Sequence, residues 1–535
     1  MVAAADLHIT TGAMAKQVLW VLVATCAWAL FGGCSSTPPN PPGPDELVGQ
    51  PSTSADGEDE AQSSGTFWLH LHPHTDHLQV RIRLLSPPEQ TAFFLPTSWA
   101  GIDDLDQSID LLEARTERGP LAMSVDRSRG RVDLSPGRAE WVELHYRVDV
   151  ADSPAVGPFH PWRSDDAFFA FGPTFLILPP APISRALRDI PIEVHVPDDW
   201  QVASTWTAAN DHFDIPPPPG GTFIADDLKA LRDAFIGAGH TWEHHLLELG
   251  ERRAHWTFAG DFDFSPPELM DDVQPLLVSY LERFGHYDEL SALIKPRAND
   301  DHPGLRGTGR HGGFVLHLAS HTPLDDELRI LMAHEALHMW NGHLIVPDAD
   351  ARDDVQWFKE GVTHYIAIKT LTRLGLIDES SLRRELASAA HFYLTNPLNV
   401  GGPSRPIDHT RLPYDRGLLI AADLDYALWS ASDGNLHIED WLHALLTEPF
   451  QRDARRYDEG LLQESFAWLA DDYPDVRRRY RELVNHPLNI DAIFHQFGLH
   501  FLEARHDRSA RLSPLDGGSS AYRSIFGLSS NSESP

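Results

Sequence analysis

Two histidines four residues apart, His334 and His338, flank a glutamate, Glu335, in the stretch LMAHEALHMW. On a helix both imidazoles share one face and converge on a single ion, while Glu335 stands beside that ion, placed to take a proton from water. The chain holds 30 histidines, so the pattern gains weight only from its surroundings. A second stretch, WFKEGVTHY, begins 19 residues after His338 and offers Glu360. Two histidines and a glutamate make a three-ligand zinc shell with the fourth position open, the composition of a catalytic site rather than a structural one. A structural site would draw on cysteine, and the two cysteines, Cys26 and Cys34, both fall near the N-terminus. His364, one turn beyond Glu360, is either a competing ligand or a group on the substrate side.

Helices must present these residues. TPLDDELRILMAHEALHMWNG reads as one, with Thr322 as cap, Pro323 opening it, and Asp325, Asp326 and Glu327 favouring the positive helix end. SPPELMDDVQPLLVSYLERFG follows the same grammar from Ser265 to Gly285. Helical periodicity continues through VQWFKEGVTHYIAIKTLTRLG, ESSLRRELASAAHFYL, YDRGLLIAADLDYALWSAS, IEDWLHALL and DVRRRYRELV. From Thr66 to about residue 200 the pattern is different. FWLHLH, LQVRIRLL, TAFFLP, WVELHYRVDV, AFFAFGPTFLILPP and PIEVHVP are short strand-like runs broken by Pro, Gly and Asp. The expected organisation is α+β and multidomain: a signal peptide over 1–33, a Pro- and Ser-rich tether over 34–65, and an all-β domain over 66–240. A mainly helical catalytic domain over 241–504 and a loosely held tail over 505–535 complete it.

Acidic residues outnumber basic ones 78 to 43, a formal charge of −35, which argues against nucleic acid as a partner. Lys16 followed by VLWVLVATCAWALFGG has the order of an export signal, and Met14 is an alternative start. LFGGC resembles the lipobox of bacterial lipoproteins, although Phe31 stands where a small or aliphatic residue is usual. The resemblance implies lipidation at Cys34, a membrane partner through that lipid, and residence in the cell envelope, at the outer membrane or the periplasmic face. With Cys26 removed and Cys34 lipidated, no disulfide forms within the mature chain.

HEALHMWN and WFKEGVTHY resemble the glycyl aminopeptidase family of zinc metallopeptidases, gluzincins whose pattern is H-E-x-x-H-x-W-N followed by W-F-x-E-G-x-T-x-Y. PIEVHVPDDW, ERFGHYDEL and YDRGLLIAADLDYAL match that family in order and spacing over roughly residues 66 to 500. The resemblance implies a thermolysin-like catalytic domain behind an N-terminal β domain, zinc held by His334, His338 and Glu360, and Glu335 as base. It also implies that Tyr414 of PYDRG donates a hydrogen bond to the tetrahedral intermediate. GTGRHGGFVLHLAS takes the place of the family's glycine-rich strand, typically G-G-L-E-H, which directs attention to Gly312, Gly313 and His317 as substrate contacts. Phe314, Val315 and Leu316 then replace the acidic region whose glutamate holds the substrate's free amine. The chain is expected to lack the family's C-terminal PDZ domain.

The reading is therefore a zinc metallopeptidase of aminopeptidase type acting on peptide or protein substrates. The alternatives are a catalytically degenerate, lipid-tethered peptide-binding protein of the same fold, and a zinc hydrolase of a non-peptide amide or ester.

Overall fold

The computed structural model describes residues 67–73, 77–153, 157–180, 183, 187–209, 220–285, 287, 289–297, 305–348, 350–396, 411–447, 450, 456–503, 510–515 and 520–528. The expected signal peptide, tether and lipidated Cys34 lie outside these residues. No helix among those described is long and apolar enough to cross a membrane.

Period-two patterning builds the N-terminal half. In His77–Leu85, Leu78, Val80, Ile82 and Leu84 are buried while the residues between them are half-exposed, so one face of the strand meets the core. This strand pairs antiparallel with Phe67–Pro73 and Trp141–Asp149 at the centre of an eight-stranded sheet. A four-stranded sheet, ordered Gln201–Ser204, Phe235–Gly239, Ala167–Phe171, Trp162–Arg163, lies between that sheet and the rest of the molecule. The unbroken apolar run AFFAF follows from its two buried faces. Phe168 and Ala170 join the core of the large sheet, whereas Phe169 and Phe171 pack with Leu293 and Val315 of the next domain.

Beyond residue 240 a second sheet begins, ordered Glu243–Leu249, Arg252–Phe258, Leu290–Pro296, Gly313–Leu318, Arg306–Arg310. Its three inner strands run parallel, and Arg306–Arg310 is an antiparallel edge. Helices cover one face. Helix α1, Pro266–Phe284, starts with a reciprocal capping box between Ser265 and Glu268. Helix α2 spans Asp326–Leu337 and is capped by Asp325, whose carboxylate accepts from the Glu327 and Leu328 amides. Thr322, the expected cap, is buried in the preceding turn, and the charged acceptor lying nearest the free amides takes its place.

The stretch expected as one helix from Val355 opens as a π-helical turn, Trp357–Val362, and continues as α3, Thr363–Leu374. Helices α4, Glu379–Thr395, and α5, Leu412–Ala431, pack against it, followed by α6, Ile438–Leu446, α7, Glu459–Leu469, α8, Pro474–Asn485, and α9, Ile490–Gln496. The tail departs from expectation. Ala510–Pro514 pairs with Leu499–Glu503, and α10, Ser520–Phe526, buries Ile525 and Phe526 in the helical core. Three apolar residues at helical spacing, Tyr522, Ile525 and Phe526, outweigh the polar composition around them.

Candidate active site

Helix α2 and the π turn bring His334, His338 and Glu360 together in the buried core. The two Nε2 atoms are 3.0 Å apart, and Glu360 Oε2 lies 3.4 Å from that of His334 and 3.2 Å from that of His338. Ligands about 2.0–2.1 Å from a tetrahedral zinc stand about 3.3 Å from one another, so this triangle has the size of a divalent-cation site. Its chemistry fits as well. His338 Nδ1 lies 2.8 Å from the Asn341 carbonyl, which only accepts, so Nδ1 carries the proton and Nε2 keeps its lone pair. Glu360 Oε2 accepts no well-directed hydrogen bond. Burial pushes the His334 pKa down to about 3, keeping that ring neutral. Burial raises the Glu360 carboxyl, but the Lys359 ammonium beside it opposes this, and the carboxyl stays well below its usual range.

The residues flanking the two motifs fix this geometry. Asn341 donates to the carbonyls of Phe358 and Lys359 and to Thr363 Oγ1, tying the end of α2 to the π turn, and Tyr457 donates to Asn341 Oδ1. Trp340 sits among Tyr280, Phe284 and Tyr287 and donates to the Gly285 carbonyl. Gly361 meets Gly417 backbone to backbone, and a Cβ at Gly361 would strike the Gly417 Cα. That contact lets α5 lie directly on the π turn and carries Tyr414 to the site, its ring 6.0 Å from that of His334. Lys359 Nζ donates to the other oxygen of Glu360 at 2.8 Å.

His364 takes a different place from the triangle. Its ring is 5.6 Å from His334, and its Nε2 faces Glu385 at 3.8 Å. Arg416 donates to the carbonyls of Leu483 and Val484.

The glycine strand is where sequence and structure part. Gly312 lies in the turn with φ 73°, and Gly313 packs on the Ser291 carbonyl of the neighbouring strand. His317 is buried on the sheet face toward the β domain, edge-on to Phe159 and Phe169. None of the three faces the His334–His338–Glu360 triangle. Gly307 and Gly309 of the edge strand do: a Cβ on Gly307 would collide with the Glu335 carboxylate, and one on Gly309 would stand 3.1 Å from His343 Nε2 and 3.7 Å from Glu335 Oε2. The hairpin turn at 311–312 separates the two glycine pairs by strand, which spacing alone did not reveal. RGTGR, with glycine at every second position, was the available signal: one face of that strand must admit another group closely.

No curated protein matches the chain. Residues 69–240 match the peptidase M61 N-terminal domain, and residues 327–401 match the M61 glycyl aminopeptidase domain. The chain belongs to the glycyl aminopeptidase family. The M61 glycyl aminopeptidase match contains all three members of the triangle and Glu335, and it makes this molecule a peptidase by family. In fold the chain is similar to an aminopeptidase N family protein from Idiomarina loihiensis, with a TM-score of 0.67, 17% identity, and 82% of this chain and 79% of that one covered. It is also similar to an M1 zinc metallopeptidase from Deinococcus radiodurans, with a TM-score of 0.54, 16% identity, and coverage of 80% and 95%. A mutant of the Deinococcus radiodurans enzyme bound to a Tyr-Ser-Ala substrate gives a TM-score of 0.52 at 15% identity, with 80% and 95% covered.

Proposed function

We propose that this glycyl aminopeptidase family member is a zinc-dependent peptidase that cleaves a peptide laid along the Arg306–Arg310 edge strand. The observation that carries the reading is the triangle of His334, His338 and Glu360 with the Glu335 carboxylate wedged between it and Gly307. Zinc held by the triangle supplies Lewis acidity to the scissile carbonyl. The protein's own groups do the rest. Glu335 accepts the proton of the attacking water and passes it to the leaving amine, so one carboxylate serves as base and then acid. The edge strand offers backbone amides and carbonyls to an extended peptide, and the missing side chains of Gly307 and Gly309 let the Glu335 carboxylate lie directly against that strand. Tyr414, beside His334, donates its phenolic hydrogen to the oxyanion, a bond that strengthens as negative charge develops. Lys359 and the Asn341 carbonyl hold Glu360 and His338 in place.

An intact Glu335 argues against a purely binding role, since capture of a peptide needs no base at that point. Aminopeptidase action is the mode proposed from the family and from the likeness of fold. Attachment to the cell envelope through a lipid on Cys34 is proposed on the LFGGC motif.

The test compares the protein with Glu335→Gln on internally quenched peptides, with zinc measured in both. One equivalent of zinc in each, with turnover lowered by about 10³ in the variant, is the expected result. Turnover that survives the substitution, or protein that takes up no zinc, would overturn the reading.

A further inference from the structure

The edge strand has a second face. Gly307 and Gly309 look toward Glu335, so Arg306, Thr308 and Arg310 lie on the opposite side, in register with His317, Val315 and Gly313. That side is roofed by the β domain. The Arg310 guanidinium stacks 4.5 Å from the Trp99 ring and 4.7 Å from that of Phe171, with only 9% of the residue exposed. Thr308 is 2% exposed.

Polar groups buried this deeply are normally paired. Here Nε and Nη2 of Arg310, Nε of Arg306, Oγ1 of Thr308 and both ring nitrogens of His317 make no hydrogen bond among the described residues. Two carboxylates act on Arg310 through space, Asp233 and Glu335. Asp233 is held by Arg232 through two hydrogen bonds, and Glu335 belongs to the other face of the strand. Three N–H groups of Arg310 are therefore buried without an acceptor among the described residues, an arrangement that costs stability unless an anion completes it. A guanidinium fork matches a carboxylate, and the Trp99, Phe159 and Phe171 rings suit the methylenes behind it.

A peptide added to this edge alternates its side chains between the two faces, one toward the zinc triangle and the next toward Arg310. We propose that Arg306, Thr308 and Arg310 form a substrate subsite for a carboxylate, so that the peptidase selects peptides carrying Asp or Glu beside the scissile bond. The proposal rests on the peptidase reading above. It makes Arg310 a specificity-determining contact and gives the edge strand two duties, seating Glu335 against its glycines and reading charge through its arginines.

A peptide series with Glu, Gln or Lys walked through two positions on each side of the bond tests this, with free and acetylated N-termini throughout. At one position Glu exceeds Gln by at least tenfold in kcat/KM and Lys falls below both. Arg310→Met brings the Glu/Gln ratio below threefold, and Thr308→Val, a smaller change on the same face, lowers it severalfold in a protein whose melting is checked alongside. A ratio near one at every position, or a ratio untouched by both variants, overturns the subsite while leaving the peptidase standing. Should no peptide be cleaved, calorimetry on the Glu335→Gln protein decides. An Arg310-dependent preference of tenfold or more in Kd for the Glu peptide upholds the subsite, and equal affinities refute it. A thermal shift with chloride or phosphate that depends on Arg310, without any preference among peptides, assigns the buried guanidinium to a free anion and also refutes it.

Discussion

His334, His338 and Glu360 form one of two buried groups of imidazoles and carboxylates among the described residues that lie close enough to share an ion. Asp425, His437 and Glu439 form the other. In the second, Lys369 supplies the positive charge. Its Nζ sits 2.6 Å from Asp425, 2.7 Å from Glu439 and 3.4 Å from His437 Nδ1, and Arg373 pairs with the remaining Glu439 oxygen. Tyr365 and the Ile438 amide complete the hydrogen bonding of Asp425. In the first group a lysine is also at hand, but Lys359 binds the outward oxygen of Glu360 and leaves the inward one facing two imidazoles. Net charge does not separate the two. The position of the cation does: at the centre of the donors it makes a closed structural knot, and outside them it leaves room for an ion.

The largest expected effect comes from breaking the open group. Glu360→Gln removes the anionic ligand while keeping its shape, so zinc content after dialysis falls from one equivalent to less than a tenth and turnover drops by more than about 10³. Metal analysis and peptide kinetics on the same sample check both. The closed group answers to a different measurement. Lys369→Met strands Asp425 and Glu439 in the core and costs about 3–5 kcal/mol in urea unfolding, the range for removing one partner of a buried pair. Zinc content stays at one equivalent. Loss of zinc in the Lys369 variant, or full zinc in the Glu360 variant, would erase the distinction.

The sequence showed one side of this comparison better than the other. H-E-x-x-H and W-F-x-E-G stand out because ligand spacing on a helix is short-range, and His334, His338 and Glu360 do converge. The Lys369 knot joins α3, α5 and α6 across 70 residues of chain, and no local pattern marks it. Edge geometry was hidden for a related reason. Gly312 and Gly313 read as a glycine strand, yet which glycines face Glu335 depends on where the hairpin turns, and that is decided by pairing with Leu290–Pro296. The chemistry of Arg310 was equally out of reach, since a basic residue on a strand is ordinarily solvated and only the β domain folding over it takes the water away. Six of the strand runs before residue 200 and most of the long helices after 265 were legible because apolar periodicity answers to burial directly, whereas Ile109–Thr116, Phe235–Gly239 and Glu459–Leu469 went unmarked. The π turn and the packed tail were not, because both depend on partners far along the chain.

Lys295 offers the inverse of the open group, a cation with no acid at its head among the described residues, and with it the smallest and most specific test. It is buried in the same cross-strand row as His317 and Arg306, its Nζ over the rings of Phe169 and Trp162 at 4.6 and 5.5 Å. Burial pushes its pKa down to about 7. Between about pH 7 and the ordinary lysine value near 10.4, the unfolded chain therefore holds a proton that the folded chain has released. Stability must rise with pH across that window, and the penalty for the buried ammonium is fully present below it. Lys295→Met removes the titrating group and fills similar space. The variant should melt about 3 °C above the parent protein at pH 6, with the gap closing toward pH 10. A gap that stays constant from pH 6 to 10 would mean that Lys295 keeps its charge in the fold, held by an anion the ring contacts do not account for.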